Sequence, residues 1–374
     1  MEATRVLHIN SEYRDSKVHS ELTRRLDSKG LYQSVYCFFR GKQFVGKNQF
    51  EGNNVTFIYA DILSPIDRYL FGYKGWKIYK HLKKTVDVKS FNLSHAATLF
   101  SNGYVAYKLF KEYGIPYIIA VRSTDLMYYR VAPFMANTGL KIMRNASQIV
   151  FISASLLDRF KKIKAVQPYL GELEHKFVLQ PNGINEYWLN NINNDSTFKH
   201  KIIYVGNFAK RKNVVPLIKA IEQLRKEPGY EDTTLTIIGG QKDKNGEVLN
   251  VVKSTDFVSF LGVIKDKHQL LEEYRAHSIF AMPSLFETFG LVYIEALTQD
   301  LAVLYSKNYG IDGMLPTTAG EPADPNSVGD IFKKLKMIFD NRQYYSNKDM
   351  IFSHYDWDFI SDNYIRIYNA VLNN

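Results

Sequence analysis

The chain has 374 residues, 45% of them hydrophobic, and 48 Lys and Arg against 38 Asp and Glu for a formal net charge of +10. Those figures exclude wholesale disorder and exceed what one hydrophobic core usually serves, so two domains of about 180 residues each are expected. A single cysteine, Cys37, excludes an intramolecular disulfide and suits a reducing compartment. The chain runs from Met-Glu-Ala-Thr-Arg straight into an apolar strand with no signal-peptide core, and no apolar run reaches the ~20 residues of a membrane span. A cytoplasmic protein is expected, with peripheral contact to the inner face of the cytoplasmic membrane left open.

Both halves alternate short apolar runs with helical periods, the pattern of parallel α/β sheets. In the first half, Arg5 to Ile9, Ser34 to Phe39, Val55 to Tyr59, Tyr117 to Val121 and Gln148 to Ile152 read as strands. Helical periods fall at Val18 to Lys29, Gly75 to Lys84, Tyr104 to Tyr113 and Leu140 to Asn145. Residues 68–84 are the densest basic segment, with six Lys/Arg, no acid, and Tyr69, Phe71, Tyr73, Trp76 and Tyr79 interleaved. Rings and ammonium groups so close together suit an anionic membrane surface; the alternative is a solvated helix with its aromatics in the core. Single-stranded nucleic acid also stacks on such rings, but no nucleic-acid motif accompanies the segment and no such partner is expected.

The polar, Asn-rich stretch from Gln180 to His200 separates the halves and reads as a hinge. A second start follows at Lys201 to Gly206, then a helix at Val214 to Arg225, strands at Leu235 to Ile238 and Phe257 to Phe260, and a helix at Lys267 to Ala276. Strand Ser278 to Met282, a helix opening at Phe289-Gly290 and strand Leu301 to Leu304 complete a doubly wound pattern. The last helix, Asp358 to Leu372, has no strand after it. The expected boundaries are a first domain over 1–180, a hinge over 181–200, a second domain over 201–355 and a terminal helical segment over 356–374. Doubly wound domains bind ligands at the carboxyl ends of their strands.

The stretch Pro283 to Leu297 carries the clearest chemistry. Glu287 and Glu295 stand eight residues apart across a loop-to-helix junction, and the free N–H groups of that helix start, near Phe289 to Val292, make a seat for a phosphate or pyrophosphate. Carboxylates beside a diphosphate are repelled unless they accept hydrogen bonds from hydroxyls, and a nucleotide sugar supplies both groups. Upstream, Gly206 directly after a strand permits close backbone approach to a ligand, and Lys210, Arg211 and Lys212 follow to neutralise a departing diphosphate. The Asp356-Trp357-Asp358 triplet precedes the terminal helix instead of following a central strand, and no His/Cys/Asp cluster has metal-ligand spacing. No metal is expected.

Glu-x7-Glu with Phe-Gly between resembles the signature of retaining glycosyltransferases of the GT-B fold, in particular the large family 4. The resemblance implies an α/β protein of two facing Rossmann-like doubly wound domains, a deep interdomain cleft and a C-terminal helix crossing back to the first domain. It implies that Glu287 contacts donor-sugar hydroxyls, that Thr288, Phe289, Gly290 and Leu291 hold the diphosphate, and that Glu295 binds the ribose. Gly206 and Lys212 fall on the family's phosphate-binding Gly and Lys positions; Asn207 stands where Arg is usual, with Arg211 near enough in sequence to supply the missing charge. Gln180-Pro181-Asn182-Gly183-Ile184 resembles the family's Asn-Gly turn at the hinge. In the first half, His95 and Asp125 fall on acceptor-side positions, and Arg122 replaces a His that lies near the transferred sugar. The first loop, Asn10-Ser11-Glu12, lacks the Gly-Gly turn many members carry.

The function so implied is that of a retaining hexosyltransferase. It would move a hexose-type sugar from a UDP- or GDP-linked donor to a glycan or lipid-linked acceptor in bacterial surface polysaccharide synthesis, with no cofactor beyond the donor. Glu287, Lys212 and Arg122 are its candidate catalytic residues. A nucleotide-sugar epimerase or inverting transferase on the same fold would need a base near the sugar carbon, for which only His95 is at hand. A degenerate nucleotide-sugar-binding module is the remaining alternative, raised by Asn207 and Arg122.

Overall fold

A computed structural model describes residues 4–194, 198–240, 243 and 246–373. The chain forms two compact units. Unit 1 comprises the chain through Ile152, Leu157–Gly183 and Trp357–Asn374; unit 2 comprises Ser153–Leu156 and Ile184–Asp356.

Unit 1 is built on seven parallel strands: β1 (Arg5–Ile9), β2 (Tyr32–Phe39), β3 (Val55–Asp61), β4 (Leu93–Ala96), β5 (Tyr117–Val121), β6 (Gln148–Phe151) and β7 (Phe177–Leu179), in the order β3-β2-β1-β4-β5-β6-β7. The register sets His8 of β1 beside His95 of β4. Central strands read as unbroken apolar runs because helices cover both faces. The helices are α1 (Lys17–Ser28), α2 (Phe71–Thr85), α3 (Ser101–Tyr113), α4 (Ser123–Val131), α5 (Ala136–Asn145), α6 (Ala154–Lys161) and α7 (Leu170–Leu173). Strand order reverses between β1 and β4, and the carboxyl ends splay apart there.

In unit 2 the strands are β8 (Lys201–Gly206), β9 (Thr234–Gly239), β10 (Val258–Gly262), β11 (Ile279–Ala281), β12 (Ala302–Ser306) and β13 (Gly320–Ala323), in the parallel order β10-β9-β8-β11-β12-β13. Its helices are α8 (Glu186–Leu189), α9 (Val214–Leu224), α10 (Glu247–Ser254), α11 (Lys267–Arg275), α12 (Leu291–Thr298) and α13 (Val328–Asp340). The polar stretch read as a hinge is partly folded onto this unit. Trp188 of α8 is buried edge-on against Tyr274, and the Asn193 amide donates to the Thr298 carbonyl at 2.8 Å. Residues 195–197 of that stretch lie outside the described residues.

The terminal helix α14 (Trp357–Leu372) crosses back to unit 1, where Trp357, Ile360, Tyr364 and Tyr368 join a core with Leu22 and Leu26 of α1 and with Leu93 and Ile118 of the sheet. Each such side chain contributes about 1.5–3 kcal/mol by burial. Gly183 is required beside it, since a Cβ there would stand 2.7 Å from the Trp357 ring. Asp358 faces Arg25 at 3.6 Å, and the Lys29 ammonium bonds the Asp358 carbonyl at 2.9 Å, so the Asp-Trp-Asp triplet serves helix docking.

Candidate active site

At the carboxyl end of the unit 2 sheet, sequence places glycine or a small residue wherever backbones must converge. Gly239 ends β9 with φ +120°, and a Cβ there would lie 2.0 Å from the Gly206 carbonyl oxygen. The Gly240 amide donates to the same carbonyl at 3.1 Å. Gly239 and Gly240 escaped the sequence reading, although paired glycines directly after an apolar run are the available signal. Asn207 closes its own turn, its Oδ1 accepting the Ala209 amide at 3.1 Å, while the Tyr204 hydroxyl donates to its carbonyl at 2.7 Å.

Of the three basic residues that follow β8, Lys212 alone is turned inward. Lys210–Lys212 forms a single 3-10 turn that ends at Asn213 in the left-handed region, φ +61°. The Asn213 side-chain amide locks the turn by donating to the carbonyls of Pro283 and Pro325 at 2.9 and 2.6 Å. Lys212 is thereby buried, 9% exposed, and its Nζ lies 2.5 Å from Oε2 of Glu287 and 3.4 Å from the sulfur of Met282. The Arg211 guanidinium donates to the Phe286 carbonyl at 3.2 Å and stands 3.6 Å from the same Glu287 oxygen. Two cations therefore meet at one carboxylate.

Glu287 is held by its backbone as well as its side chain. Its carbonyl accepts the Gly310 amide at 3.1 Å, and Gly310, with φ +59°, has no room for a Cβ, which would fall 2.8 Å from the Phe289 carbonyl. Ser153 and Ser155, also missed in sequence, brace this region: their hydroxyls donate to the carbonyls of Thr288 (3.1 Å) and Gly310 (2.8 Å). Gly290 caps α12 with φ +89°; in the first turn the Tyr293 amide donates to the Gly290 carbonyl at 3.1 Å, while the Leu291 and Val292 amides precede any intrahelical acceptor. Phe289 is buried against Tyr355. Glu295 sits about 6 Å along the axis from the helix start, half-buried, and its carboxylate makes no hydrogen bond among the described residues. Burial lifts its pKa from 4.5 to about 7, with Lys267 opposing the rise. A desolvated carboxylate without donors is an acceptor awaiting hydroxyls.

The first-half residues lie in unit 1. Asp125 is buried and turned toward backbone, accepting the amides of Arg122 at 2.8 Å, Leu99 at 3.2 Å and Phe100 at 3.3 Å; burial nonetheless raises its pKa to about 6. His95 is buried, its Nδ1 2.8 Å from the Tyr368 hydroxyl and its ring stacked on Tyr364, and burial drives its pKa well down. Arg122 donates through Nε to the Ala97 carbonyl at 3.3 Å. Residues 68–84 divide by helical period. Tyr69, Tyr73 and Trp76 are exposed, Trp76 stacked on Tyr73 at 5.8 Å; Tyr79 is core, and Phe71 packs edge-on against Phe100. Lys77 pairs with Asp67 and Lys83 with Glu112. Among the described residues no helix is long and apolar enough to cross a membrane, and no group of three or more His, Cys, Asp or Glu is placed to hold a metal ion.

Two doubly wound units, one with a Gly-rich strand end, an inward Lys and a Glu-flanked helix start, define a GT-B glycosyltransferase fold. Residues 190–353, most of the second unit, match the family model of glycosyl transferases group 1. It is similar to the alpha-monoglucosyldiacylglycerol synthase of Acholeplasma laidlawii, 22% identical over 262 residues, spanning 62% of this chain and 63% of that relative's length. It is also similar to the capsular polysaccharide biosynthesis glycosyltransferase CapH of Staphylococcus aureus, 24% identical with 81% of each chain covered. Among solved structures, Anabaena HepE in complex with UDP-glucose superposes with a TM-score of 0.67 at 14% identity, covering 98% of this chain and 99% of that one.

Proposed function

We propose that the protein is a retaining hexosyltransferase that moves a hexose-type sugar from a UDP- or GDP-linked donor to a glycan or lipid-linked acceptor. The observation that carries this reading is the Lys212–Glu287 pair fixed beside the start of α12. An incoming diphosphate takes the Lys212 ammonium, aided by Arg211 and the N–H groups of the first helical turn. Sugar hydroxyls then replace Lys212 as donors to Glu287, and the ribose hydroxyls donate to Glu295. As the bond from the anomeric carbon to the diphosphate oxygen breaks, positive charge on Lys212, Arg211 and the helix end stabilises the leaving group. The acceptor hydroxyl attacks the face that the diphosphate leaves, passing its proton to a phosphate oxygen, so configuration is retained. These charges are the ones a divalent ion would otherwise supply, and the reading calls for no metal. HepE binding UDP-glucose supports a nucleotide-sugar donor.

The exposed Tyr69, Leu70, Tyr73 and Trp76, with the exposed Arg68, Lys80 and Lys84, are suited to anionic lipid headgroups and support a membrane-proximal acceptor. Calorimetry with UDP- and GDP-sugars, followed by product stereochemistry with the bound donor, tests the central reading. Binding of no nucleotide sugar, or an inverted product, would reject it.

A further inference from the structure

Glu287 is carried by a stretch without helix or strand, yet the backbone there has little freedom. The carbonyls of Pro283, Ser284 and Phe286 accept bonds from the side chains of Asn213 (2.9 Å), Ser306 (2.6 Å) and Arg211 (3.2 Å). The Glu287 carbonyl accepts the Gly310 amide, and the Thr288 carbonyl accepts the Ser153 hydroxyl. A loop pinned at so many carbonyls holds the side chain it carries in one place.

The stem of Glu287 runs between two glycine backbones. A Cβ on Gly290 or on Gly310 would stand 3.3 Å from Glu287 Cγ, so both positions border that side chain. Gly290 is fixed by its place at the start of α12. Gly310 lies in a turn and is held by its own peptide groups, its amide bonded to the Glu287 carbonyl at 3.1 Å and its carbonyl to the Ser155 hydroxyl at 2.8 Å.

Ser153 and Ser155 come from the segment that follows β6, 135 and 155 residues from their partners in sequence. Ser153–Leu156 belong to unit 2, so both bonds are internal to it. The two serines are buried with their hydroxyls 3.3 Å apart, and Ser153 Oγ also accepts the Leu156 amide at 3.3 Å. The Ala154 amide between them donates to the Met314 sulfur at 3.2 Å, which seats the segment against the chain just past Gly310. Packing alone would not select serine here. A buried hydroxyl is unfavourable unless it is bonded, and each of these is bonded to a carbonyl that frames Glu287.

We propose that Ser155, with Ser153 beside it, is a positioning residue for Glu287: it fixes the Gly310 peptide against which the Glu287 stem lies, and so sets where the carboxylate stands. Calling this catalytic positioning rests on the glycosyl-transfer reading; the mechanical link from Ser155 to Glu287 does not. A displaced carboxylate meets sugar hydroxyls out of register, which slows turnover and leaves the diphosphate contacts as they were.

Hydrogen exchange of the full-length chain, read by mass spectrometry, tests the link. Ser155→Ala should speed exchange in peptides covering 284–290 and leave β8 and β9 unchanged; exchange over 284–290 as slow as in the unaltered chain would overturn the proposal. Kinetics with the UDP- or GDP-sugar that calorimetry selects test the role. Ser155→Ala should lower kcat by about ten- to a hundredfold, while the dissociation constant of UDP or GDP stays within about twofold of the original. In a Glu287→Gln background, followed in single turnovers, the same substitution should cause no further loss. An unchanged kcat, a loss of equal size in both backgrounds, or a fall in nucleotide affinity matching the fall in kcat would overturn it. If Ser155→Ala does not fold, Ser155→Cys, which nearly keeps the volume and weakens the donor, takes its place in both experiments. An unaltered chain that binds no nucleotide sugar rejects the glycosyl-transfer reading, and hydrogen exchange then decides the link by itself.

Discussion

Replacing Glu295 by Gln is expected to stabilise the unliganded protein above neutral pH while weakening its hold on nucleotide. Moving the carboxyl from 4.5 to about 7 corresponds to about 3 kcal/mol of preference for the neutral form in the folded chain. The side chain is half-buried, so solvent screens part of this and about 2 kcal/mol is the working figure. Below pH 4.5 the group is protonated both folded and unfolded, and Glu and Gln should melt alike. Between 4.5 and about 7 the unfolded chain ionises while the folded one keeps its proton, so the native protein loses stability relative to Glu295→Gln as pH rises. Above about 7 the difference levels off, equivalent to about 4–8 °C in melting temperature for a unit of this size. Thermal unfolding of both proteins from pH 4.5 to 8.5 measures the curve. Calorimetry with UDP at pH 8 should show at least about tenfold weaker binding by the variant, the loss of hydrogen bonds to a charged acceptor. A melting difference that does not grow with pH, or a variant that binds UDP as well as the native protein, would refute the assignment of Glu295 as a desolvated ribose acceptor.

Glu287→Gln keeps the shape of the loop but removes the charge that holds Lys212, and turnover should fall by at least about a hundredfold with a folded circular-dichroism spectrum; near-normal turnover would remove Glu287 from the mechanism. Gly239→Ala forces a Cβ to 2.0 Å from the Gly206 carbonyl in a left-handed backbone and should cost about 2 kcal/mol or more, read as a lowered denaturation midpoint. Transfer activity should survive dialysis against EDTA, and its loss with recovery on adding Mg²⁺ or Mn²⁺ would overturn the metal-free reading. Flotation with anionic vesicles should carry the protein upward where zwitterionic vesicles do not, and Trp76→Ser should reduce the floated fraction; equal flotation on both vesicle types would rule out the charge-based surface.

The long central strands were legible because burial on both faces leaves unbroken apolar runs. What escaped notice lacks that signal. β7 is three residues, and β13, Gly-Glu-Pro-Ala, contains a proline that an edge strand tolerates and a central one does not. The Glu-x7-Glu spacing made the two acids visible, but the 2.5 Å Lys212–Glu287 contact joins residues 75 apart and rests on Asn213, whose αL turn and two carbonyl partners leave no periodic trace. The segment 68–84 was half read: residues 73, 76 and 80 share one helical face, while Gly75, Ile78, Tyr79 and Leu82 share the buried one. That period stood in the sequence beneath the simpler impression of mixed rings and cations.

The charges of the site differ in one respect that bears on where affinity comes from. Lys212 and Glu287 already hold each other, so a donor that takes Lys212 with phosphate and Glu287 with hydroxyls exchanges partners, and the net gain on binding is small. Their contribution grows only when the breaking bond loads further negative charge onto the diphosphate, which places it in the transition state and in turnover. Among the described residues Glu295 has no such partner. It keeps a desolvation cost in the unliganded protein that hydroxyl donors relieve. Substitutions at Glu295 should therefore appear chiefly in KM and dissociation constants, and substitutions at Lys212 and Glu287 chiefly in kcat.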